Sequence, residues 1–405
     1  MKRIFIVDEH QSSKQNGIGT FVGQMVKCLS TPSNMVNLIS FDSEVKHFNI
    51  GNRGGVTDYQ FPSTGNHGFR FNGALHLSVL RLYLPDDKEN VFLVNHSPCL
   101  PFMKALRRLF PQSKIVFIIH NQGWCDTLRG NKEALLQCAQ NHKPAGISDK
   151  DFLFIRTYLR QEKAMYRLAD KIVCLSASTR EVLTNIYKVP DDKVAIIPNG
   201  MTWEASTNEP KELIKERLGL GKDEIILFYA GRTQPAKGIH ELLAAFDDVY
   251  RNNKRLRLII AGEVYDLNTF ASLTKHSACH VTYLGLIGKE AMRDWYKISD
   301  ITILPSYTEQ CSYTGLEMMA SSQLIITTDG HGLKNMFNTQ NAVIAHIAWN
   351  GSKTGLQTEL VRCINDALGL SRAEMERLRA NASKCFKDTY NIRQMKEKYI
   401  RLING

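Results

Sequence analysis

The sequence predicts an α/β fold made of two doubly wound domains, each with a parallel sheet. Three observations lead to this prediction. Short apolar runs rich in β-branched residues recur along the chain, helix-like segments lie between them, and the alternation is interrupted once, at residues 202–223. Continuous apolar runs suit strands that are buried on both faces of a parallel sheet. Their alternation with helices is typical of βαβ units, so each half of the chain is expected to form a domain.

The predicted elements follow one another in the same order in both halves. Strands are predicted at 3–7, 36–40, 91–94, 115–119, 171–175 and 194–197, and then at 225–230, 256–261, 281–284, 301–304 and 324–327. Helices are predicted at 19–30, 152–169, 239–250, 289–298 and 314–320.

The break in the alternation predicts the division into domains. A linker at 204–223 separates an N-terminal Rossmann-like domain, 1–203, from a C-terminal Rossmann-like domain, 224–385. The remaining 386–405 is predicted to be a C-terminal helix, for which packing back onto the N-terminal domain is one option. Two such domains leave a cleft, and ligands of open α/β sheets bind beyond the carboxyl ends of the strands.

The composition is typical of a globular protein that buries hydrophobic cores: of the 405 residues, 43% are hydrophobic and 22% charged. No stretch approaches the roughly 20 apolar residues of a membrane span, and the N-terminal sequence lacks the pattern of a secretory signal. A cytoplasmic location is therefore expected, with peripheral attachment to the inner face of the membrane as an alternative. The nine cysteines include no C-x2-C pair, so reduced thiols and no metal site are expected.

The net charge of +11 lies mostly in the first half of the chain. This positive charge either keeps the protein soluble or attracts an anionic partner, such as a phosphorylated acceptor or an anionic membrane. Segment 101–110, apolar and basic, is either a crossover helix or a helix lying on a membrane. A row of cations shares one predicted helix face: Arg156, Arg160, Lys163 and Arg167. No nucleic-acid partner is expected, because neither interleaved aromatics nor zinc-finger spacing is present.

The first chemical motif follows the predicted strand 225–230 and runs from Gly231 to Gly238. Arg232 and Lys237 are long cations on a loop that leads into a helix. Arginine forks across two phosphate oxygens and lysine supplies a mobile point charge, while the glycines allow close backbone approach. The loop is either a diphosphate site or a helix-entry turn with solvated charges.

The second motif follows the predicted strand 301–304 and places Glu309 and Glu317 eight positions apart. Glu309 is expected in the loop and Glu317 one turn into the next helix, where carboxylates accept hydrogen bonds from sugar or ribose hydroxyls. The residues between them bring backbone N–H groups to a helix N-terminus, a favourable place for an anion. These donor-site candidates are Gln310, Cys311, Ser312, Tyr313 and Thr314.

Together the two motifs resemble those of the retaining glycosyltransferases of family 4, also called glycosyl transferases group 1, which have the GT-B fold. There, a G-R-x4-K-G loop and an E-x7-E motif bind one nucleotide-sugar. The resemblance covers most of the chain. Gly17 and Gly19, in Asn16–Gly19, are similar to the N-terminal glycine loop that faces the donor phosphates, and Leu286 is similar to the position that contacts the base.

His120 follows the predicted strand 115–119 and is a third candidate, because strand ends line α/β clefts. The family commonly has a histidine there, near the donor sugar. Two positions depart from the family pattern. Gln310 stands where a glycine is frequent, and Glu263 follows Gly262 where a second glycine is frequent.

The resemblance implies a mechanism without cofactor or metal. Arg232 and Lys237 would offset charge on the leaving nucleoside diphosphate, and Glu309 would hold the sugar hydroxyls. Glu317 would hold the ribose and His120 would contact the sugar from the other domain, so domain closure would complete the site. Retention at the anomeric carbon is implied. The catalytic set is then Arg232, Lys237, Glu309 and His120.

The expected reaction moves a hexose-type sugar from a UDP- or GDP-sugar to a glycan, lipid-linked, peptide or small-molecule acceptor. Two alternatives remain open. A nucleotide-sugar epimerase shares the scaffold and needs no acceptor. A non-catalytic protein would keep only the nucleotide-sugar pocket. The sequence leaves the sugar, the base, the acceptor and the oligomeric state undetermined.

Overall fold

The computed structural model describes residues 1–8, 17–63, 68–95, 99–204, 209–264, 266–348 and 354–405. The chain forms two compact units, each with an α/β fold around a parallel sheet, which confirms the predicted fold class. The first unit comprises Met1–Leu128, Lys132–Gly200 and Ile392–Gly405. The second comprises Arg129–Asn131 and Met201–Asn391.

Fourteen strands are assigned within the described residues. They are β1 Lys2–Asp8, β2 Asn34–Ser43, β3 Asn49–Arg53, β4 Val56–Pro62, β5 Asn90–Asn95, β6 Lys114–Ile119, β7 Lys171–Cys174, β8 Val194–Ile196, β9 Ile225–Ala230, β10 Leu256–Ala261, β11 Val281–Gly285, β12 Ile301–Leu304, β13 Ile325–Thr328 and β14 Val343–Ala345.

Sixteen α-helices are assigned within the same residues. They are α1 Gly17–Leu29, α2 Gly68–Tyr83, α3 Leu100–Leu109, α4 Gly123–Thr127, α5 Lys132–Ala139, α6 Asp149–Leu168, α7 Ala177–Asn185, α8 Lys211–Arg217, α9 Ile239–Asn252, α10 Leu267–Leu273, α11 Lys289–Ile298, α12 Tyr313–Ala320, α13 Leu333–Met336, α14 Thr354–Gly369, α15 Arg372–Cys385 and α16 Ile392–Asn404.

The sheet of the first unit has the order β3-β4-β2-β1-β5-β6-β7-β8. All neighbours pair in parallel except β3 and β4, which form an antiparallel hairpin at one edge. The central strands are almost wholly buried, and from Phe5 to Val7 no residue exceeds 1% exposure. This burial is why these strands appear in the sequence as continuous apolar runs.

The sheet of the second unit has the order β11-β10-β9-β12-β13-β14 and is parallel throughout. Because the strands are parallel, the loops after β9, β10, β12 and β13 emerge at one edge of the sheet. Strands β9 and β12 are neighbours in this order, so the two sequence motifs that follow them start from neighbouring strand ends. The strands bury most of their residues; in β9, five of the six are buried.

The predicted linker and the predicted C-terminal helix each contain a helix that belongs to one of the two units. Helix α8 lies within 204–223, and its Ile214 is fully buried, so this stretch carries an element of the second unit. Helix α16 packs in the first unit, where Tyr399 is 0% exposed and its ring lies 6.4 Å from that of Phe21.

All nine cysteines are free thiols. Across the described ranges, no helix combines the length and the apolar character that crossing a membrane requires.

Candidate functional site

The loops that carry the two sequence motifs meet at the carboxyl edge of the second sheet. Strands β9 and β12 are neighbours, with Leu227 paired to Ile301. Beyond the strand ends, the backbone N–H of Tyr307 donates to the carbonyl of Ala236 at 3.0 Å. This bond joins the loop after β9 directly to the loop after β12, so residues far apart in sequence become neighbours.

A direct contact between the two motifs joins Lys237 and Glu309. Lys237 Nζ lies 2.6 Å from Glu309 Oε1, and each side chain is 16% exposed. Ser306 donates its hydroxyl hydrogen to the same oxygen at 3.0 Å. Charge-assisted hydrogen bonds are strong when partly shielded from water, so the Glu309 carboxylate is fixed from two sides.

The backbone of Glu309 is also fixed. Its N–H donates to the carbonyl of His331 at 2.9 Å, in the loop that follows β13. Gly332 has φ of +81°, and a Cβ there would lie 1.8 Å from the Glu309 carbonyl oxygen. A side chain at position 332 would therefore displace the Glu309 loop.

Arg232 also has a fixed backbone, but its side chain is exposed. Tyr229 donates its hydroxyl hydrogen to the Arg232 carbonyl at 2.6 Å. The next residue, Thr233, donates to the carbonyl of Glu263 at 2.6 Å. Glu263, which departs from the family pattern, thus contacts the first motif through its backbone, and the Arg232 guanidinium faces solvent beside Gly231.

Glu317 lies on α12, as predicted for a residue one turn into the helix. It accepts a hydrogen bond from the hydroxyl of Tyr296 at 3.0 Å. Burial raises the pKa of Glu317 to about 7, and the hydrogen bond from Tyr296 opposes that rise. This carboxyl therefore changes charge near neutral pH.

The residues between the two acids form the entry to α12. Ser312 is the N-cap and accepts a hydrogen bond from the N–H of Gly315 at 3.3 Å. Gln310, Cys311 and Ser312 are buried, with 5%, 6% and 7% exposure. Tyr313 and Thr314 begin the helix and are half-buried. Leu286, which follows β11, is 62% exposed.

The remaining candidates lie in the first unit. His120 directly follows β6, and its ring lies 4.4 Å from the ring of Phe21 on α1. Gly17 and Gly19 are in the first turn of the same helix, so α1 carries both glycines and the contact to His120. Asn16, the start of that glycine motif, lies outside the described residues.

Two contacting residues were not predicted from the sequence. Ser306 lies two residues after the end of β12, and that position alone could have indicated a role. Tyr296 lies within α11, where nothing in the sequence distinguishes it from a core aromatic. Across the described parts of the chain, no group of three or more His, Cys, Asp or Glu side chains is arranged to hold a metal ion.

Comparison with known families covers nearly the whole chain in two parts. The family model described as "Glycosyltransferase Family 4" matches residues 15–202, and the one described as "Glycosyl transferases group 1" matches residues 210–384. The second match contains both motifs of the site.

One curated relative is the lipopolysaccharide 1,2-N-acetylglucosaminetransferase of Salmonella typhimurium, 24% identical over 189 residues that cover 44% of this chain and 49% of the relative. The chain spans about half the length of the curated relatives that it matches, with 43%, 49% and 46% covered in the first three.

Solved structures share the fold over the full chain. Sucrose-phosphate synthase from Thermosynechococcus elongatus matches with a TM-score of 0.74 at 16% identity, covering 100% of this chain and 98% of that one. HepE from Anabaena, solved in complex with UDP and glucose, matches with a TM-score of 0.70 at 14% identity, covering 100% of both chains. At these identities the likeness establishes the fold, which is GT-B.

Proposed function

The chain belongs to the glycosyl transferases group 1 family, and we propose that it transfers a hexose-type sugar from a nucleotide-sugar, UDP- or GDP-linked, to an acceptor. The observation that carries this proposal is the contact of Lys237 with Glu309, which unites the basic and the acidic motif in one site. The family match favours transfer over the epimerase and binding-only alternatives.

The cations would bind the diphosphate. Lysine has three N–H donors, and the contact with Glu309 occupies one of them in Lys237. The others are then available to phosphate oxygens. Arg232, whose side chain is exposed, would supply a bidentate contact. Two positive charges in place before the sugar leaves stabilise the charge that develops on the nucleoside diphosphate.

The carboxylates would orient the sugar and the ribose. Glu309 Oε1 accepts from Lys237 and Ser306, and a carboxylate has further lone pairs for sugar hydroxyls. We propose that Glu317 accepts from the ribose hydroxyls and that His120 contacts the donor sugar. We also propose retention at the anomeric carbon.

No metal is required in this proposal, because Arg232 and Lys237 would provide the positive charge. We expect transfer to continue in EDTA. Loss of transfer in EDTA that magnesium restores would contradict this part of the proposal.

The acceptor is proposed to be a glycan or a lipid-linked glycan. The relative from Salmonella is named for transfer to lipopolysaccharide, and the surplus of basic residues in the first half of the chain suits an acceptor that carries phosphate. Peptide and small-molecule acceptors are assayed alongside for comparison. Peripheral attachment to an anionic membrane is tested by sedimentation with anionic and with neutral vesicles.

The donor is tested first by thermal shift with UDP-, GDP- and ADP-sugars, since a ligand that binds only the folded state raises Tm. Release of sugar from the binding donor is then compared for wild type and for Arg232→Ala, Lys237→Ala and Glu309→Ala. Each variant should lose about 10²–10³ in kcat, as for removal of one transition-state contact. The control is Arg372→Ala, whose side chain is 89% exposed on α15. Unchanged turnover in all three site variants would refute the site.

A further inference from the structure

A buried acid in the first unit contacts the segment that carries His120. Glu162, on α6, is 2% exposed. The backbone N–H of Gly123 donates to its Oε1 at 3.2 Å, and the hydroxyl of Tyr187 donates to its Oε2. The carboxylate thus binds one backbone donor and one side-chain donor in the interior, where each would be costly to leave unpaired.

The contacted N–H is the first of helix α4. The first N–H groups of a helix have no acceptor within it. Gln122, the N-cap residue, makes no side-chain capping bond. Glu162 supplies the acceptor for this N–H from another helix.

A second bond from α6 holds the preceding residue. Gln122 Nε2 donates to the hydroxyl oxygen of Tyr166 at 3.2 Å. Tyr166 lies four positions after Glu162 and therefore on the same face of α6. Gln122 is 0% exposed and Tyr166 is 2% exposed. Two successive residues, Gln122 and Gly123, are therefore tied to two successive turns of one helix.

Packing reinforces the two hydrogen bonds. A Cβ at Gly123 would lie 2.4 Å from Cδ1 of Tyr158, which is also on α6. The backbone at Gly123 is thus in close contact with α6, and a small rotation of the helix or of the segment would break that contact.

His120 lies between this anchor and the sheet. Ile119 is paired with Cys174 at the end of β6, and Gly123 is held by Glu162. Only residues 120, 121 and 122 connect the two fixed points. We propose that Glu162 is a positioning residue that fixes residues 120–123, the His120 segment, at the end of β6. The inference rests on the proposed role of His120 in the transfer reaction.

The anchor itself is tested without an activity assay. Hydrogen–deuterium exchange over residues 120–127 is compared for wild type, Glu162→Ala and Glu162→Gln. Alanine removes both acceptors, and we expect exchange at least about tenfold faster there, because the segment opens locally. Glutamine keeps an acceptor for Gly123 and should restore protection.

The control for general destabilisation is Leu77→Ala. Leu77 is 0% exposed on α2, so its truncation should lower Tm and leave exchange over 120–127 close to wild type at the same temperature below Tm. Equal exchange in wild type and Glu162→Ala would overturn the proposal. If Glu162→Ala does not fold, Tyr166→Phe takes its place, because it removes the hydroxyl that accepts from Gln122. We expect faster exchange over 120–123 in this variant, and unchanged exchange would also overturn the proposal.

Activity then separates this inference from the proposed function. We expect Glu162→Ala to lower kcat by about 10- to 100-fold with little change in KM, as for a small misplacement of a reacting group, and Glu162→Gln to recover it. If exchange over 120–127 is faster in Glu162→Ala while His120→Ala transfers sugar at the wild-type rate, then Glu162 does fix the segment but His120 has no role in transfer.

Discussion

Lys237 and Glu309 are 72 positions apart in the sequence, yet Nζ of one lies 2.6 Å from Oε1 of the other. Both belong to the second unit and follow neighbouring strands. The pair places a cation and a carboxylate next to each other, the arrangement that the proposed binding of the phosphate and the sugar of one substrate requires.

The pair should behave as one functional group. Lys237→Met and Glu309→Gln should each lower kcat/KM by about 10²–10³. The fold-loss of kcat/KM in the double variant should be much smaller than the product of the two single fold-losses, because either change already breaks the shared contact. Steady-state kinetics of the four proteins measure this coupling.

A second ion pair of the same unit provides the comparison. Arg372 Nε lies 2.8 Å from Glu376 Oε1, with 89% and 60% exposure. The same cycle on this pair should leave kcat/KM within about twofold of wild type, since exposed pairs contribute little. Additive losses at Lys237 and Glu309 would show that they act separately.

Stability of the first unit should depend on pH through Glu162. Burial raises its pKa to about 7, opposed by the hydrogen bonds from Tyr187 and Gly123, whereas an unfolded glutamate titrates near 4.3. The native state therefore binds more protons between these values, and stability falls as pH rises through that window. The full cost at higher pH is about 4 kcal/mol.

Glu162→Gln removes this titration. Relative to wild type, the variant should gain stability from pH 5 to pH 8, as measured by urea unfolding. The titratable tyrosines nearest to Glu162, Tyr166 and Tyr187, have pKa values that burial raises well above 10, so they stay neutral in this range. Glu133→Gln, at an exposed position of α5, should follow wild type at both pH values. A constant difference between Glu162→Gln and wild type would contradict the assignment.

Gly332 should tolerate no side chain. In Gly332→Ala, the new Cβ would lie 1.8 Å from the Glu309 carbonyl oxygen if φ stayed at +81°, so the backbone around Gly332 or Glu309 must shift. We expect a loss of about 1–3 kcal/mol in stability and a marked fall in turnover. Gly369→Ala, at the end of α14 with nothing within 4 Å of its Cβ position, should be neutral or stabilise the protein by up to about 1 kcal/mol. Wild-type turnover in Gly332→Ala would mean that the Glu309 loop adapts freely.

Tyr399→Ala should weaken the first unit, although position 399 follows the whole second unit in sequence. The side chain is 0% exposed, and truncating a buried aromatic costs about 3–5 kcal/mol. Hydrogen exchange should rise in α1, whose Phe21 packs against Tyr399, and not in α14. Arg393→Ala, with a side chain that is 83% exposed, is the matched control on α16. An unchanged exchange rate in α1 would exclude this role for α16.

Sequence periodicity predicted the buried strands well because burial on both faces makes them apolar throughout. Strands β9, β10 and β12 begin and end where predicted. The hairpin of β3 and β4 was missed, because β3 is a polar edge strand and β4, beside it, mixes apolar and polar residues. Gly54 and Gly55, which separate them, were the available signal. Strand β14 is also at an edge and has only three residues.

The sequence predicted which loops carry the candidate site, but it did not predict which of these loops are neighbours in space. Motifs that follow strands were expected at one edge, but the sequence does not state that β9 neighbours β12. Nor did it indicate Glu162, because a single acid in an amphipathic helix is usually solvated, and its burial depends on Tyr187 and Gly123, which are distant in the chain. Catalytic roles for Arg232, Lys237, Glu309 and His120 remain predictions.

The return of α16 to the first unit has a consequence for synthesis on the ribosome. The first unit emerges early, but its segment Ile392–Gly405 is translated only after all of Met201–Asn391. During that interval the α1 surface that Tyr399 later covers is exposed. At about 5–20 residues per second, this interval lasts on the order of 10–40 seconds, in which the nascent chain depends on chaperones or on its own solubility. Its surplus of basic residues is well placed for that purpose, because like charges discourage association of incomplete chains.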